Sequence, residues 1–101
     1  MTKFCFDLDG TLCSLTTKGE YRKSIPKVDR IRRVNALYDM GHTIMLYTAR
    51  GTTLRNDMIG ELTKSQLKIW GVKYHKLIFG KPEADQFIDD KGTNAEEFFK
   101  K

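Results

Sequence analysis

Apolar runs and helical stripes alternate along the 101-residue chain. A first apolar run ends at Asp7, and Pro26 then suits the first turn of a helix whose apolar positions recur at helical spacing until Gly41. A second run ends at Thr48, and another helical stripe follows it as far as Gly71. This alternation predicts an α/β fold with a parallel sheet and with binding groups at the carboxyl ends of its strands.

The same pattern sets the bounds of the individual elements. It predicts four strands, over residues 3–7, 42–48, 77–79 and 86–89. It predicts a second helix capped by Thr52 or Thr53, and a final helix with a capping box formed by Thr93 and Glu96. The predicted buried face of the second helix comprises Leu54, Met58, Leu62, Ile69 and Trp70. Only residues 80–85 separate the last two strands, whereas a parallel crossover needs about a dozen residues or more. Either the third strand is marginal or this connection is irregular.

The charge balance favours anionic ligands. Eighteen Lys and Arg against thirteen Asp and Glu give a formal net charge of +5. Such a charge attracts anions at long range without identifying them, so phosphorylated sugars and nucleic acid both qualify. Four basic residues lie in or just after a polar loop over residues 13–25, where they can draw phosphate inward or form a solvated basic face. These residues are Lys18, Arg22, Lys23 and Lys27.

Length and cysteine usage narrow the class of protein further. We expect a single domain over residues 1–101 without a cap domain, because this length leaves no room for a second core. Cys5 and Cys13 are not spaced as a metal or redox pair, and no secretory or membrane-spanning segment is evident, which predicts a reduced, cytoplasmic protein. Cys5 is expected to pack in the core, and Cys13 is assigned no chemistry. His42 and His75 lack partners at ligand spacing and are expected to be structural.

Two carboxylates, Asp7 and Asp9, follow the first apolar run. Residues i and i+2 of a strand face the same side, so these two side chains are expected to converge. Like charges held that close need a cation between them, and magnesium suits a carboxylate site that keeps positions open for water and phosphate. Gly10 lets the backbone turn away from the site without a Cβ clash. Taken alone, the pair is more typical of an acidic turn after a strand than of a metal site.

Three further motifs stand at or near the ends of other apolar runs. They are Leu46-Tyr47-Thr48-Ala49-Arg50, Gly80-Lys81-Pro82 and Phe87-Ile88-Asp89-Asp90. With Asp7-Leu8-Asp9-Gly10-Thr11, they resemble the haloacid dehalogenase superfamily, whose members are mostly magnesium-dependent phosphatases. More loosely, the chain is similar to small, capless phosphatases of the capsule-biosynthesis type. The resemblance implies a minimal Rossmann-like, three-layer sandwich with an open site.

The resemblance also assigns catalytic roles. Asp7 would be the nucleophile that becomes an aspartyl phosphate, and Asp9 would protonate the leaving oxygen and later activate water. Thr48 would donate its hydroxyl to a phosphoryl oxygen. Lys81 would neutralise phosphate charge and hold Asp7 ionised. Its rivals nearby in the sequence are Lys73 and Lys76.

The predicted metal is Mg²⁺. By resemblance, Asp90 would ligate it alongside Asp7 and the backbone carbonyl of Asp9, and Asp89 would support the site through outer hydrogen bonds. Some members carry another acid four residues after this pair, where the present chain has Asn94, which leaves the outer shell of the site in doubt.

These features together predict a magnesium-dependent phosphomonoesterase acting on a sugar phosphate, in surface-polysaccharide or nucleotide-sugar metabolism. Arg50 either recognises a second anionic group on the substrate or faces solvent. Two alternatives stay open: a phosphatase acting on nucleic-acid ends, and a non-catalytic binding protein of the same fold. No membrane partner is expected, and closure of the open site by a neighbouring copy of the chain is a further hypothesis.

Overall fold

A computed structural model describes residues 1–17, 20–51 and 57–100, except for the side chain of Asp57. Three strands form one parallel sheet in the order β1-β2-β3, with β1 at Lys3–Asp7, β2 at Thr43–Thr48 and β3 at Lys76–Phe79. The helices are α1 at Val28–Asp39, α2 at Asp57–Trp70 and α3 at Ala95–Phe98, with a short 3₁₀ turn at Tyr21–Lys23. This architecture confirms the predicted minimal Rossmann-like α/β fold. Within these ranges, the helices fall short of the length and hydropathy that a bilayer crossing requires.

The hydrophobic core lies on one face of the sheet, because strand side chains alternate between faces. The strand residues of this face are Phe4, Phe6, Ile44, Leu46 and Leu77. The helices pack Ile31, Val34, Leu67, Trp70 and Phe98 against them. Cys5, Met45 and Tyr47 alternate with these positions and point to the other face. Among the described residues, the core is therefore held between one face of the sheet and the three helices, which makes two layers rather than the predicted three-layer sandwich.

The buried face of α2 differs from the prediction. Met58 and Ile69 are 66% and 80% exposed, whereas Thr63, Gln66 and Leu67 are buried. Leu62 and Trp70 are half-buried, as predicted. Leu54 and the proposed caps Thr52 and Thr53 lie outside the described residues. The error arises because two polar side chains occupy the inward-facing stripe, and a purely apolar pattern passes over them.

The predicted fourth strand is wrong. Residues 86–89 lie within a stretch, 80–94, that contains neither strand nor helix, and Phe87 and Ile88 are 54% and 89% exposed. The β3 strand, by contrast, pairs with β2 over four residues. Of the two alternatives left open by the short connection, the irregular path is the correct one. Too few residues separate β3 from this segment for a parallel crossover.

Two smaller predictions are also corrected. The cap of α3 is Asn94 rather than Thr93, since the Asn94 side chain accepts a hydrogen bond from the backbone N–H of Glu96. Cys5 is exposed instead of packed, because its position in β1 faces away from the core. Which residue caps a helix and which face of a strand is buried both depend on tertiary packing. The local sequence does not determine either.

Both histidines have structural partners, in agreement with their predicted roles. His42 Nδ1 accepts a hydrogen bond of 3.1 Å from the backbone N–H of Thr2. His75 Nδ1 accepts one of 3.0 Å from the N–H of Ile44, and its ring stacks on Tyr38 with 4.5 Å between centroids. These contacts attach the ends of the strands to their neighbours.

Candidate active site

The carboxyl ends of the three strands meet at one edge of the sheet. Asp7 is in register with Tyr47, and Thr48 with Phe79, so β1, β2 and β3 end side by side. The backbone N–H of Lys81 donates to the carbonyl of Thr48 at 3.0 Å, which ties the chain after β3 to this edge. Side chains that follow the strands are thereby brought to a common place, as expected for a parallel sheet.

A tight turn directs the chain back over this edge after β1. Leu8 is fully buried, and its carbonyl accepts hydrogen bonds from the N–H groups of Thr11 and Leu12 at 3.0 and 2.8 Å. Gly10 has a φ of 85°, a conformation that residues with a Cβ rarely adopt. A Cβ at this position would also approach the Leu15 side chain to 3.2 Å. The turn therefore needs glycine, and it places Asp9 beside Asp7 at the mouth of the sheet.

A pocket of about 360 Å³ lies at this edge. It is lined by Asp7, Asp9, Leu15, Thr16, Tyr21, Ala49, Arg50 and Glu83. Leu15, Thr16 and Tyr21 belong to the loop that follows the acidic turn, so this loop forms one wall. None of these three, nor Ala49 or Glu83, was singled out as a site residue from the sequence. Leu15, Thr16, Tyr21 and Glu83 belong to no motif, and Ala49 lies within one without a role of its own, so only the tertiary structure identifies them as lining residues.

Asp7 is half-buried, and its cationic partner is Lys81, which is not itself among the residues that line the pocket. Its Oδ1 lies 3.5 Å from Lys81 Nζ. Burial raises the pKa of Asp7, while the charge of Lys81 and the N–H of Leu8 oppose that shift. The Lys81 ammonium also lies 4.4 Å from the ring centroid of Phe87 and 6.0 Å from that of Tyr47. Two aromatic faces therefore flank the cation beside Asp7.

The other basic residues considered from the sequence lie elsewhere. Lys73 pairs with Asp39 at 2.8 Å, and Lys23 pairs with Glu20 at 3.3 Å, all on the surface. The pocket lining does not include Arg22, Lys27 or Lys76, and Lys18 lies outside the described residues. Lys81 is the predicted lysine that the structure places beside Asp7, whereas Arg22, Lys23, Lys73 and Lys76 are exposed and Lys27 is half-buried.

Asp9 is bound by Arg50 through both carboxylate oxygens. Arg50 Nε donates to Asp9 Oδ2 and Arg50 Nη2 donates to Asp9 Oδ1, each at 2.9 Å. The Arg50 side chain is completely buried, whereas that of Asp9 is 21% exposed. Both interpretations of Arg50 from the sequence, a substrate contact at the rim and a solvent-facing side chain, are therefore wrong. Its guanidinium donates hydrogen bonds to groups inside the protein.

Arg50 is held in turn by three polar side chains and one ring. Nη1 donates to Gln66 Oε1 at 2.6 Å and to Thr63 Oγ1 at 3.2 Å, and Nη2 donates to Ser24 Oγ at 3.3 Å. The guanidinium lies 4.6 Å from the ring centroid of Tyr21. These residues come from α2 and from the loop before α1. Sequence reasoning missed them, although Thr63, Gln66 and Leu67 share one helical stripe.

Cys13 belongs to the same buried cluster. Its Sγ lies 3.5 Å from Asp9 Oδ1 and is within reach of Arg50 Nη2 at 3.8 Å. Burial, followed by the negative charge of Asp9, raises the pKa of Cys13 to about 12. The thiol is therefore protonated at neutral pH, and a protonated thiol is a poor nucleophile. This agrees with the absence of any chemical assignment to Cys13 from the sequence.

Thr48 is placed behind the pocket. It is 1% exposed, does not belong to the pocket lining, and its Oγ1 accepts a hydrogen bond of 3.1 Å from the backbone N–H of Arg50. The hydroxyl thus orients the residue that binds Asp9. Its predicted contact with a phosphoryl oxygen stays a prediction.

The predicted magnesium site stays a prediction, and Asp7 is the described side chain that suits it. Asp7 presents a half-buried carboxylate to the pocket, which is the donor type that Mg²⁺ prefers. Asp89 and Asp90 are exposed and do not line the pocket, and Asp89 instead accepts hydrogen bonds from the N–H groups of Lys91 and Gly92. Over the described ranges, no group of three His, Cys, Asp or Glu side chains is arranged to hold a metal ion. The fit is therefore limited to Asp7, and the metal roles of Asp89 and Asp90 stay predictions.

A larger cavity, of about 540 Å³, lies between α1 and α3, away from these residues. Acidic and basic side chains alternate around it, and Arg30 pairs with Glu96 at 2.8 Å. Arg30 is further engaged by the carbonyl of Thr11 and the ring of Phe99. Because its charges are used within the protein, this cavity is a weaker candidate than the smaller pocket at the sheet edge.

No family model and no curated protein matches this chain. Among solved structures, it is similar to the crystal structure of an MCSG target from Vibrio cholerae, with a TM-score of 0.79 and 28% identity over 98% of this chain and 88% of that one. It is also similar to a chain in the Pnkp1/Rnl/Hen1 complex, with a TM-score of 0.60 and 19% identity over 88% of this chain and 30% of that one. These likenesses support the small α/β fold.

Proposed function

We propose that this chain is a phosphomonoesterase that uses Asp7 as its nucleophile. The observation that carries the proposal is the placement of Asp7 in the pocket at the sheet edge, with Lys81 Nζ 3.5 Å from its Oδ1. The order of the four motifs, which resembles the haloacid dehalogenase superfamily, supports the same activity. A carboxylate beside a fixed cation at the carboxyl end of a strand suits attack on an anionic phosphoryl group.

The proposed reaction has two displacements at phosphorus. A carboxylate oxygen of Asp7 forms a bond to phosphorus while the bond from phosphorus to the ester oxygen breaks, and the carboxyl group of Asp9 gives its proton to that departing oxygen. Water then attacks the phosphorus, its proton passes to the Asp9 carboxylate, and the bond to Asp7 breaks to release inorganic phosphate. Lys81 holds the charge of the phosphoryl oxygens during both displacements.

We include Mg²⁺ in the proposal, with Asp7 as the side chain that would hold it. When bound, the ion would neutralise negative charge on the phosphoryl oxygens. Addition of a chelator is expected to abolish phosphate release, and magnesium is expected to restore it. Full activity in the presence of excess chelator would remove the metal from the proposal.

The substrate we favour is a sugar phosphate, which rests on the looser resemblance to capsule-biosynthesis phosphatases. The net charge of +5 favours nucleic-acid ends as the alternative. Turnover of a panel of phosphorylated sugars, compared with that of 3′-phosphorylated oligonucleotides, separates the two. A steep loss of activity on the oligonucleotide with rising salt would support the alternative, since counterion release makes such binding salt-dependent.

The test of the activity itself is Asp7→Asn assayed on 4-nitrophenyl phosphate. This variant is expected to release no measurable phosphate while its circular dichroism and unfolding midpoint stay close to those of the unaltered protein. Asp39→Asn, which removes an exposed carboxylate paired with Lys73, is the matched control and should retain activity. Equal activity of Asp7→Asn and Asp39→Asn would refute the proposal, and a protein inactive on every phosphomonoester would point to the non-catalytic alternative.

A further inference from the structure

We infer that Arg50 is a positioning residue that holds the Asp9 carboxylate in the orientation from which Asp9 exchanges protons with the substrate. The inference deepens the proposed function and rests on it. Asp9 and Arg50 are separated by 41 positions in the sequence, yet they share two hydrogen bonds of 2.9 Å. None of the motifs in the chain assigns this task to Arg50.

The two-point contact fixes an orientation that a single contact would leave free. The Nε and Nη2 donors of a guanidinium are rigidly spaced, so they engage both oxygens of one carboxylate and restrict its rotation. A carboxylate offers about four lone-pair directions, so acceptor capacity remains beyond the two bonds to Arg50. The Asp9 side chain is 21% exposed and lines the pocket. Asp9 is thus held on one side and open to a substrate on the other.

Arg50 is itself held firmly enough to act as an anchor. Gln66 and Thr63 bind Nη1 from α2, and Ser24 binds Nη2 from the loop before α1. Gln66 Nε2 also donates to the backbone carbonyl of Tyr21 at 2.6 Å, which links α2 to that loop. Among the described side chains, every buried nitrogen and oxygen atom has a hydrogen-bond partner. A fully satisfied buried network of this kind has little freedom to rearrange.

The burial of Arg50 distinguishes positioning from substrate binding. Its side chain is fully buried, and the ring of Tyr21 lies over its guanidinium at 4.6 Å. A guanidinium that recognised a substrate would present donors to the pocket, but Arg50 uses its donors on Asp9, Gln66, Thr63 and Ser24. Its effect on the reaction is therefore expected to pass through Asp9.

The experiment compares two substrates whose leaving groups differ in their need for a proton. Glycerol 2-phosphate releases an alkoxide that must be protonated, whereas 4-nitrophenyl phosphate releases a stable phenolate that need not be. Lysine at position 50 keeps the charge but loses the two-point contact. The quantity compared is kcat/KM, because it reports only the steps up to release of the leaving group and leaves out the later hydrolysis, in which Asp9 serves both substrates alike. We expect Arg50→Lys to lower kcat/KM on glycerol 2-phosphate by about 10²-fold, the size of effect that misplacing a catalytic group produces. On 4-nitrophenyl phosphate the loss in kcat/KM should be below about 10-fold, since general acid catalysis supplies about 10²-fold or more only where a proton is needed.

The Asp9→Asn variant gives the difference between the two substrates that is expected when the proton donor is lost completely. The double variant Asp9→Asn/Arg50→Lys should be no slower on glycerol 2-phosphate than Asp9→Asn alone, because Arg50 acts through Asp9. KM should not rise for either substrate in Arg50→Lys, since the residue does not bind the phosphate. Arg32→Lys, at an exposed position in α1, is the matched control and should behave like the unaltered protein.

A second variant keeps the inference testable if Arg50→Lys does not fold. Gln66→Leu removes one anchor of Arg50 and leaves the contact between Arg50 and Asp9 in place, so a smaller loss with the same substrate preference is expected. Equal losses of kcat/KM on both substrates in the folded variants would mean that Arg50 is merely structural and would overturn the inference, with the phosphatase activity left standing. Absence of activity on both substrates in the unaltered protein would instead remove the proposed function, and the inference with it.

Discussion

Asp7 and Asp9 line the same pocket, yet the two halves of the site around them are built differently. Asp9 is bound through both oxygens by the buried Arg50. Asp7 lies 3.5 Å from Lys81, which follows β3 at the start of an irregular and mostly exposed segment. The Asp9 half is fixed by contacts from α2 and the loop before α1, whereas the Asp7 half meets a stretch without helix or strand.

The two carboxylates therefore differ in how firmly they are oriented and in how free their oxygens are to react. A carboxylate that must present a proton from one direction benefits from a two-point anchor, because orientation governs proton transfer. A carboxylate that attacks phosphorus benefits from having fewer hydrogen bonds to its oxygens. Burial raises the pKa of Asp7 despite the opposing charge of Lys81. Environments that differ between neighbouring carboxylates are a common way to give them different roles. The raised pKa of Asp7 does not by itself assign it the role of nucleophile, since in such pairs the carboxyl group with the raised pKa is usually the proton donor.

The largest expected difference between the halves is in stability. Arg50→Met should lower the free energy of unfolding by about 3 kcal/mol, because it breaks a buried charge pair and leaves the partners of Arg50 without a donor. Lys81→Met should lower it by less than about 1 kcal/mol, since that pair is partly exposed. Urea denaturation of both variants measures the change in midpoint at constant slope. Similar losses in the two variants would contradict the contrast between a rigid half and a loose half.

Activity should show the opposite order of sensitivity on the aryl substrate. Lys81→Met is expected to lower kcat on 4-nitrophenyl phosphate by about 10²-fold, the typical cost of removing one group that stabilises transition-state charge. The control is Lys73→Met, because Lys73 pairs with Asp39 on the surface and lies outside the pocket lining. Steady-state kinetics of both variants provide the measurement. If Lys81→Met and Lys73→Met are equally active, Lys81 has no part in the reaction.

The smallest expected effect concerns the ion pair between Arg30 and Glu96, which supports the turn that carries Asp9. Arg30 donates to the carbonyl of Thr11 in the acidic turn and pairs with Glu96 of α3, and this pairing lowers the pKa of Glu96 from its ordinary value of 4.5. A lowered pKa in the folded state means that the pair contributes to stability above the ordinary value and that this contribution is lost as the pH falls through the folded-state value.

The difference in unfolding midpoint between the unaltered protein and Glu96→Gln should therefore be present at neutral pH and should shrink below pH 4.5. The difference should also be small, because Glu96 is exposed, and it should decrease at high salt. Thermal unfolding followed by circular dichroism at several pH values gives the comparison. A difference that grew as the pH fell would contradict the assignment.

Local patterns were sufficient for the sheet and for part of the site. The apolar runs ending at Asp7 and Thr48 are strands in the structure, and Gly10 occupies a turn that requires glycine. Lys81 was chosen over Lys73 and is the lysine beside Asp7. Each of these features depends on residues close together in sequence, together with the rule that parallel strands present their carboxyl ends at one edge.

The prediction failed where a side chain depends on a distant partner. Arg50 offered two plausible surroundings from its position after β2, and both were wrong because its partners are on α2 and beyond β1. Thr63 and Gln66 interrupt the apolar stripe of α2, so their burial is explained only by the guanidinium that they bind. Residues 86–89 have the composition of a strand, but a strand needs a partner within reach of its backbone, and composition does not provide one.

By itself, the amino-acid sequence determined the order of the three strands and three helices, though it added a fourth strand that residues 86–89 do not form, and it determined the turn at Gly10 and the candidate nucleophile. These features depend on side-chain periodicity and on backbone preferences over a few residues. The tertiary structure decided which charges are paired, which polar side chains are buried and which residues form the pocket. Arg50 and Asp9 lie 41 positions apart, and their contact exists only because β1 and β2 run side by side and deliver both residues to the same edge. Burial then fixes the pair, since a buried guanidinium must find acceptors for its donors within the protein.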